Sequence, residues 1–72
     1  MSKNRREKLA GEISETEDRI RALEAELSSI EMSYGNPDPG RDWSELHRRH
    51  AEIQKSLEAL YLQLAELSEL LG

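Results

Sequence analysis

The chain has 72 residues, of which 36% are hydrophobic and 35% are charged, and its formal net charge at pH 7 is -5. A chain of this length forms one domain at most and cannot enclose a large core. It contains no cysteine, which excludes a disulfide framework and a thiolate metal site. No apolar run approaches the roughly 20 residues that span a bilayer, and no stretch resembles a signal peptide. We therefore expect a cytoplasmic chain without membrane contact.

Two ladders of mostly apolar side chains run along the chain, with steps of three and four residues in strict alternation. This spacing is a heptad repeat, in which the a and d positions face a partner helix. The first ladder comprises Leu9, Ile13, Thr16, Ile20, Leu23, Leu27, Ile30 and Tyr34. The second comprises Trp43, Leu46, His50, Ile53, Leu57, Leu60, Leu64, Leu67 and Leu71. The sequence therefore predicts an all-α fold, an antiparallel two-helix coiled-coil hairpin.

The segment between the ladders supplies the turn of the hairpin. It contains Pro37 and Pro39, which prevent a helix from crossing it. Gly35 is placed to end the first helix in a left-handed cap. Asp42, with Glu45 three residues later, forms a capping-box pattern for the second helix. The expected elements are a helix over about 4–33, a loop over 34–42 and a helix over about 43–70.

Two registers satisfy the ladders. If the numbers of paired residues sum to 80, nearly every layer of the seam is apolar on both sides, and His50 lies opposite Ile30. If they sum to 73, His50 faces Leu23 and Arg6 faces Leu67. The first register is favoured, and in it Trp43 lies beyond the last layer and folds over the loop.

His47 and His50 are three residues apart and share one face of the second helix. With Glu31 they would offer three metal ligands, but two histidines at this spacing are a weak indication of a metal site. The favoured interpretation pairs His47 with Glu31 and leaves His50 as an unpaired polar residue of the seam. Protonation of such a His50 would destabilise the hairpin below about pH 6.

Enzymatic activity is not expected. A two-helix hairpin forms no pocket that would exclude water or perturb a catalytic pKa. The sequence also lacks a phosphate-binding glycine loop and a nucleophile elbow.

Basic residues cluster beside the loop and are candidates for nucleic-acid contact. Arginine and lysine side chains would bind phosphates, and aromatic rings would stack on bases. The candidates are Arg41, Trp43, Arg48, Arg49 and Lys55, with Tyr34 nearby. Alternatively, the charged residues only keep the helix soluble and Trp43 caps the core.

Several residues of the second helix are apolar although they lie off the seam. They are Tyr61, Leu62, Ala65 and Leu70. An exposed apolar surface often contacts a partner, so these residues are candidates for self-association into a four-helix bundle or for docking on a neighbouring domain. Alternatively, they are scattered surface residues.

Four segments, taken in order, resemble a known family. They are Asn4–Lys8, Ile20–Leu27, Asp42–His47 and Leu57–Tyr61, with a loop bearing proline and glycine in between. Together they resemble the C-terminal coiled-coil domain of ABC-F ATPases, particularly the Uup-like members, over about residues 4–67. Leu62-Gln63-Leu64 departs from the pattern, since many members carry an acidic stretch ending in tryptophan there.

The resemblance implies that the chain is a C-terminal fragment of a cytoplasmic protein with two tandem ATP-binding cassettes. ATP and magnesium would bind those cassettes, and no cofactor would bind this fragment. The implied partners are the preceding cassette of the same chain and either DNA or ribosomal RNA. A homodimer is also compatible with the sequence.

Overall fold

The computed structural model describes residues 2–36 and 38–72 and contains two helices. Helix α1 spans Lys3–Tyr34 and helix α2 spans Trp43–Leu71. Over the described residues there is no strand, and the molecule measures 57 × 14 × 14 Å. The predicted all-α hairpin is therefore confirmed. Pro37, which we expected to block the helix, lies outside the described residues.

Helix α1 begins one residue earlier than the sequence indicated, because Ser2 caps it. Ser2 has an extended backbone, and its side-chain oxygen accepts a hydrogen bond of 3.2 Å from the backbone N–H of Arg5. Serine is among the residues preferred at this position, since its short side chain satisfies an otherwise unpaired N–H of the first turn.

Helix α1 ends without the left-handed glycine that we predicted. Gly35 has φ -82° and ψ -9°, which is a right-handed conformation. Its N–H donates to the carbonyl of Met32 at 3.2 Å, and the N–H of Asn36 donates to the carbonyl of Ser33 at 3.1 Å. These bonds span three residues, so a tightened last turn satisfies the final carbonyls and no left-handed residue is required.

Helix α2 begins as predicted, with Asp42 as its cap. The Asp42 carboxylate accepts a hydrogen bond of 3.1 Å from the backbone N–H of Glu45. A complete capping box would also need the Glu45 carboxylate to accept a hydrogen bond from the backbone N–H of Asp42. Both Glu45 oxygens instead accept from the Arg48 guanidinium.

The core is the seam between the helices. Its buried apolar residues all belong to the two ladders: Leu9, Ile20, Ile30, Ile53, Leu57 and Leu60. Ile53 is completely inaccessible to solvent. Thr16 is the buried polar residue of the seam, and its hydroxyl donates to the carbonyl of Glu12 at 2.8 Å. A buried hydroxyl bonded within its own helix adds no unsatisfied polar group to the core.

Contacts between the helices identify the register. The Tyr34 hydroxyl lies 3.3 Å from His47 Nδ1, and His50 Nε2 lies 3.4 Å from Glu31 Oε1. In the favoured register Ile30 lies opposite His50 and Tyr34 lies opposite Leu46. The two observed contacts each join residues within one position of these layers, so the favoured register is the one observed. The other register would place Tyr34 opposite Pro39, seven residues away.

The right-handed backbone of Gly35 gives a test. Gly35→Ala is expected to change the free energy of unfolding by less than about 0.5 kcal/mol. The added Cβ would meet the Met32 carbonyl oxygen at 3.5 Å, an ordinary van der Waals distance. In a left-handed conformation the same substitution would cost about 1–2 kcal/mol. Urea denaturation followed by circular dichroism distinguishes the two.

Gly11→Ala is the matched control for the same measurement. Gly11 lies inside α1, and a Cβ there would meet nothing within 4 Å. Because glycine costs up to ~1 kcal/mol relative to alanine inside a helix, this variant should be stabilised by about that amount. A loss of more than about 1 kcal/mol in Gly35→Ala alone would contradict the right-handed cap.

Candidate functional site

The residues predicted to contact nucleic acid lie on the turn and on the first half of α2. Arg41 is exposed and donates from Nη1 to the Ser33 hydroxyl at 2.8 Å. This bond links the turn to the last turn of α1. Trp43 is half-buried and lies against Tyr34, with ring centroids 6.0 Å apart and planes inclined by 37°. Trp43 therefore contacts Tyr34 at the loop end of the hairpin.

Arg48 is held by carboxylates of its own helix. It forms an ion pair with Glu45, three residues before it, and another with Glu52, four residues after it. Arg48 Nη1 lies 2.6 Å from Glu52 Oε1. Both partners raise the pKa of Arg48. The side chain remains 61% exposed, but two carboxylates already balance its charge.

Arg49 crosses the hairpin. Its guanidinium donates to both oxygens of Glu26 on α1, one of them at 2.9 Å, and also lies 3.5 Å from Glu52. In heptad terms Arg49 and Glu26 are both g positions, the positions that face each other across one rim of an antiparallel pair. The hydrogen bond from Arg49 lowers the pKa of the Glu26 carboxyl. Arg49 therefore serves the pairing of the helices.

Lys55 is exposed, and it forms no ion pair within 4.0 Å with any residue that the structure describes. Among the predicted contact residues, Lys55 and Arg41 are therefore the cations without a carboxylate partner in the described chain. The structure brings Arg41 and Trp43 together near the turn. Lys55 lies three helical turns further along α2.

The opposite rim of the hairpin is crossed by a tyrosine. The Tyr61 hydroxyl donates to Glu24 on α1 at 2.7 Å, and this bond raises the pKa of Tyr61 because it favours the protonated phenol. Both residues are e positions, which face each other on this rim. Tyr61, predicted as a docking residue, thus makes a contact within the hairpin although 46% of it remains exposed.

The remaining off-seam leucines are exposed and are spread around the helix. Leu62 is 63% exposed and Leu70 is 52% exposed. A helix turns by about 100° per residue, so eight residues place Leu70 about 80° around the axis from Leu62. Tyr61 lies about 100° from Leu62 on the other side. Met32 on α1, which the sequence did not single out, is 71% exposed.

An aromatic and histidine cluster lies at the loop end of the seam. The Tyr34 ring stacks on His47, with centroids 5.0 Å apart and planes inclined by 21°, and its centroid lies 5.9 Å from that of His50. Offset ring pairs at such distances are favourable. The heptad placed Tyr34 in the seam, but it gave no indication that both histidines would contact it.

The two histidines are paired differently from our expectation, which placed His47 beside Glu31 and left His50 unpaired. His47 lies beside the Tyr34 hydroxyl, and Glu31 lies beside His50. The expected acid destabilisation assumed that His50 is unpaired, and this premise is wrong because Glu31 Oε1 lies 3.4 Å from His50 Nε2. Across residues 2–36 and 38–72, no three histidine, cysteine or acidic side chains converge as metal ligands.

No cavity is present among the described residues. Neither helix, over the residues that the structure describes, combines the length and the apolar character that a membrane crossing requires.

Comparison with models of known families, with curated proteins and with solved structures found no match for this chain. The resemblance to the ABC-F coiled-coil domain therefore stays a prediction.

The Glu26–Arg49 pair predicts a pH dependence. A carboxyl whose pKa is lower in the folded chain adds stability above its unfolded pKa, about 4.3 for glutamate, and this stability is lost as the pH falls through the folded pKa. We expect the urea midpoint of the wild type to fall between pH 6 and pH 3, and to fall less in Glu26→Gln.

The matched control is Glu15→Gln, which removes an equal charge from an exposed position on α1. Its pH profile should follow that of the wild type. Equal slopes for the wild type and Glu26→Gln would show that the interhelix pair contributes nothing to acid stability.

Proposed function

We propose that this chain is a non-catalytic coiled-coil arm that contacts nucleic acid on behalf of a larger ATP-driven protein. The observation that best supports this proposal is the rod-like shape of the hairpin together with the chemistry of its surface. The hairpin is 57 Å long and only 14 Å across, and its buried apolar side chains lie in the seam. Such a rod reaches across a distance, and many of its exposed residues are charged.

The resemblance to ABC-F proteins supplies the context of this proposal. The tandem cassettes of such a protein would bind ATP and magnesium outside this chain, and the arm would reach DNA or ribosomal RNA. Stiffness supports such a role, because bending a pair of zipped helices would slide the layers of the seam past one another.

Titration of the 72-residue chain with labelled DNA tests this function. Duplex and single-stranded oligonucleotides are titrated at about 50 mM and about 200 mM salt, with fluorescence anisotropy as the readout. Because phosphate contacts release counterions, binding is expected at low salt and should weaken steeply at high salt. The absence of binding to either oligonucleotide at low salt would contradict nucleic-acid contact by this chain.

A second candidate function is association with another copy of the chain. The observation that favours it is the exposure of Leu62 and Leu70, which are 63% and 52% accessible on the half of α2 away from the loop. Two hairpins that bury these leucines against each other would form a four-helix bundle. In this case the arm is a structural module.

Sedimentation equilibrium tests the second candidate. A dimer is expected, and Leu62→Glu combined with Leu70→Glu should dissociate it, because a charged carboxylate resists burial in an apolar interface. The control combines Gln54→Glu with Gln63→Glu, which adds the same charge at other exposed positions of α2. A monomeric wild type over the accessible concentration range would contradict this function.

A further inference from the structure

The first turns of α1 form the most cationic surface of the hairpin. Residues 3–8 contain four basic side chains and one acidic one, Glu7, and all six residues are exposed. The basic residues are Lys3, Arg5, Arg6 and Lys8. We call these four residues the α1 basic cluster. They lie at the end of the hairpin opposite the loop.

The charges of this cluster are not balanced by the described part of the chain. None of the four side chains forms an ion pair within 4.0 Å with a described residue. By contrast, Arg48 and Arg49 of the loop-proximal half are paired with Glu45, Glu52 and Glu26. Within the described residues, that leaves only two unpaired cations there, Arg41 and Lys55, against four in the α1 basic cluster. A cation that already pairs with a carboxylate must give up that partner to bind a phosphate, so the α1 basic cluster is the better phosphate-binding surface.

The glutamates at the end of α2 do not pair with the α1 basic cluster and so do not neutralise its charge. Leu71 lies opposite Leu9 in the observed register, so Glu69 is level with Gly11 and Glu66 with Ser14. Both carboxylates are thus further along the hairpin than Lys8, by about 4.5 Å or more at 1.5 Å per residue. Neither forms an ion pair with the α1 basic cluster.

We infer that the α1 basic cluster, and not the loop end, makes the phosphate contacts of the arm, and that the partner is a nucleic acid bound through its backbone. This inference rests on the proposed function, and it moves the contact to the other end of the rod. The exposed start of α1 is a helix about 10–12 Å in diameter, a width that the major groove of duplex DNA admits. Binding through phosphates alone is independent of base sequence.

Two double variants that remove equal charge test the inference, one in the α1 basic cluster and one in the loop-proximal half. One combines Arg5→Gln with Arg6→Gln, and the other combines Arg41→Gln with Lys55→Gln. None of these four residues has an ion-pair partner in the described chain, and the only side-chain hydrogen bond among them that is lost is the exposed one from Arg41 to Ser33. Both variants should therefore fold, which circular dichroism verifies. Anisotropy titrations with labelled duplex DNA are then run at several salt concentrations.

The Arg5–Arg6 variant is expected to bind about tenfold or more weakly at low salt, and its salt dependence should fall by about one unit of slope for each cation removed. The Arg41–Lys55 variant should bind like the wild type. Weaker binding of the Arg41–Lys55 variant alone, or equal binding by all three proteins, overturns the inference and leaves the proposed function intact.

Two further outcomes separate this inference from the function on which it rests. If the wild type binds no DNA at low salt, the proposed function fails and the inference fails with it. A parallel titration uses vesicles that contain phosphatidylserine. Binding to these vesicles without binding to DNA would identify an anionic lipid surface as the partner of the α1 basic cluster, and would overturn the assignment to nucleic acid.

Discussion

The rest of the structure depends on the apolar contact between the two ladders around Ile53. Neither helix has a reason to persist alone in water at this length and composition, because helices in proteins draw most of their stability from a packed apolar face. Ile53 is fully buried, and Ile20, Ile30, Leu57 and Leu60 form one cluster with it. A single seam therefore couples the two helices along most of their length.

Polar contacts on the two rims of this seam fix how the helices face each other. Arg49 reaches Glu26 on one rim, and Tyr61 reaches Glu24 on the other. Individually such exposed pairs add little stability. These contacts instead specify the relative orientation of the helices. In a two-helix coiled coil, g positions face g positions and e positions face e positions only when the helices run antiparallel. The apolar layers supply the cohesion, and the rim contacts select the arrangement.

The sequence predicted the features that depend on the heptad repeat and one contact within a helical turn, the Asp42 cap. It did not predict the conformation of Gly35 or which charged and polar side chains pair. The heptad spacing was sufficient for the fold and the register, since a shift of seven residues would have placed Arg6 opposite Leu67. Asp42 was predictable because a cap bonds within its own turn. Gly35 was not, since a tightened turn and a left-handed glycine both satisfy the last carbonyls. The partners of Arg48, Arg49, His47 and His50 were not predictable either, because each flexible side chain had several acceptors within reach.

Because the hairpin is much longer than it is wide, a small tilt at one end displaces the other end by a large distance. Both helices meet at the end opposite the loop, and the 57 Å rod has a cross-section of only 14 Å. Its layers interlock along the seam, so a rotation applied at the open end would tilt the whole rod. At 1.5 Å of rise per residue, a tilt of about 10° at the open end carries the loop through roughly 10 Å. A small rotation applied at the open end would thus become a displacement as wide as a helix.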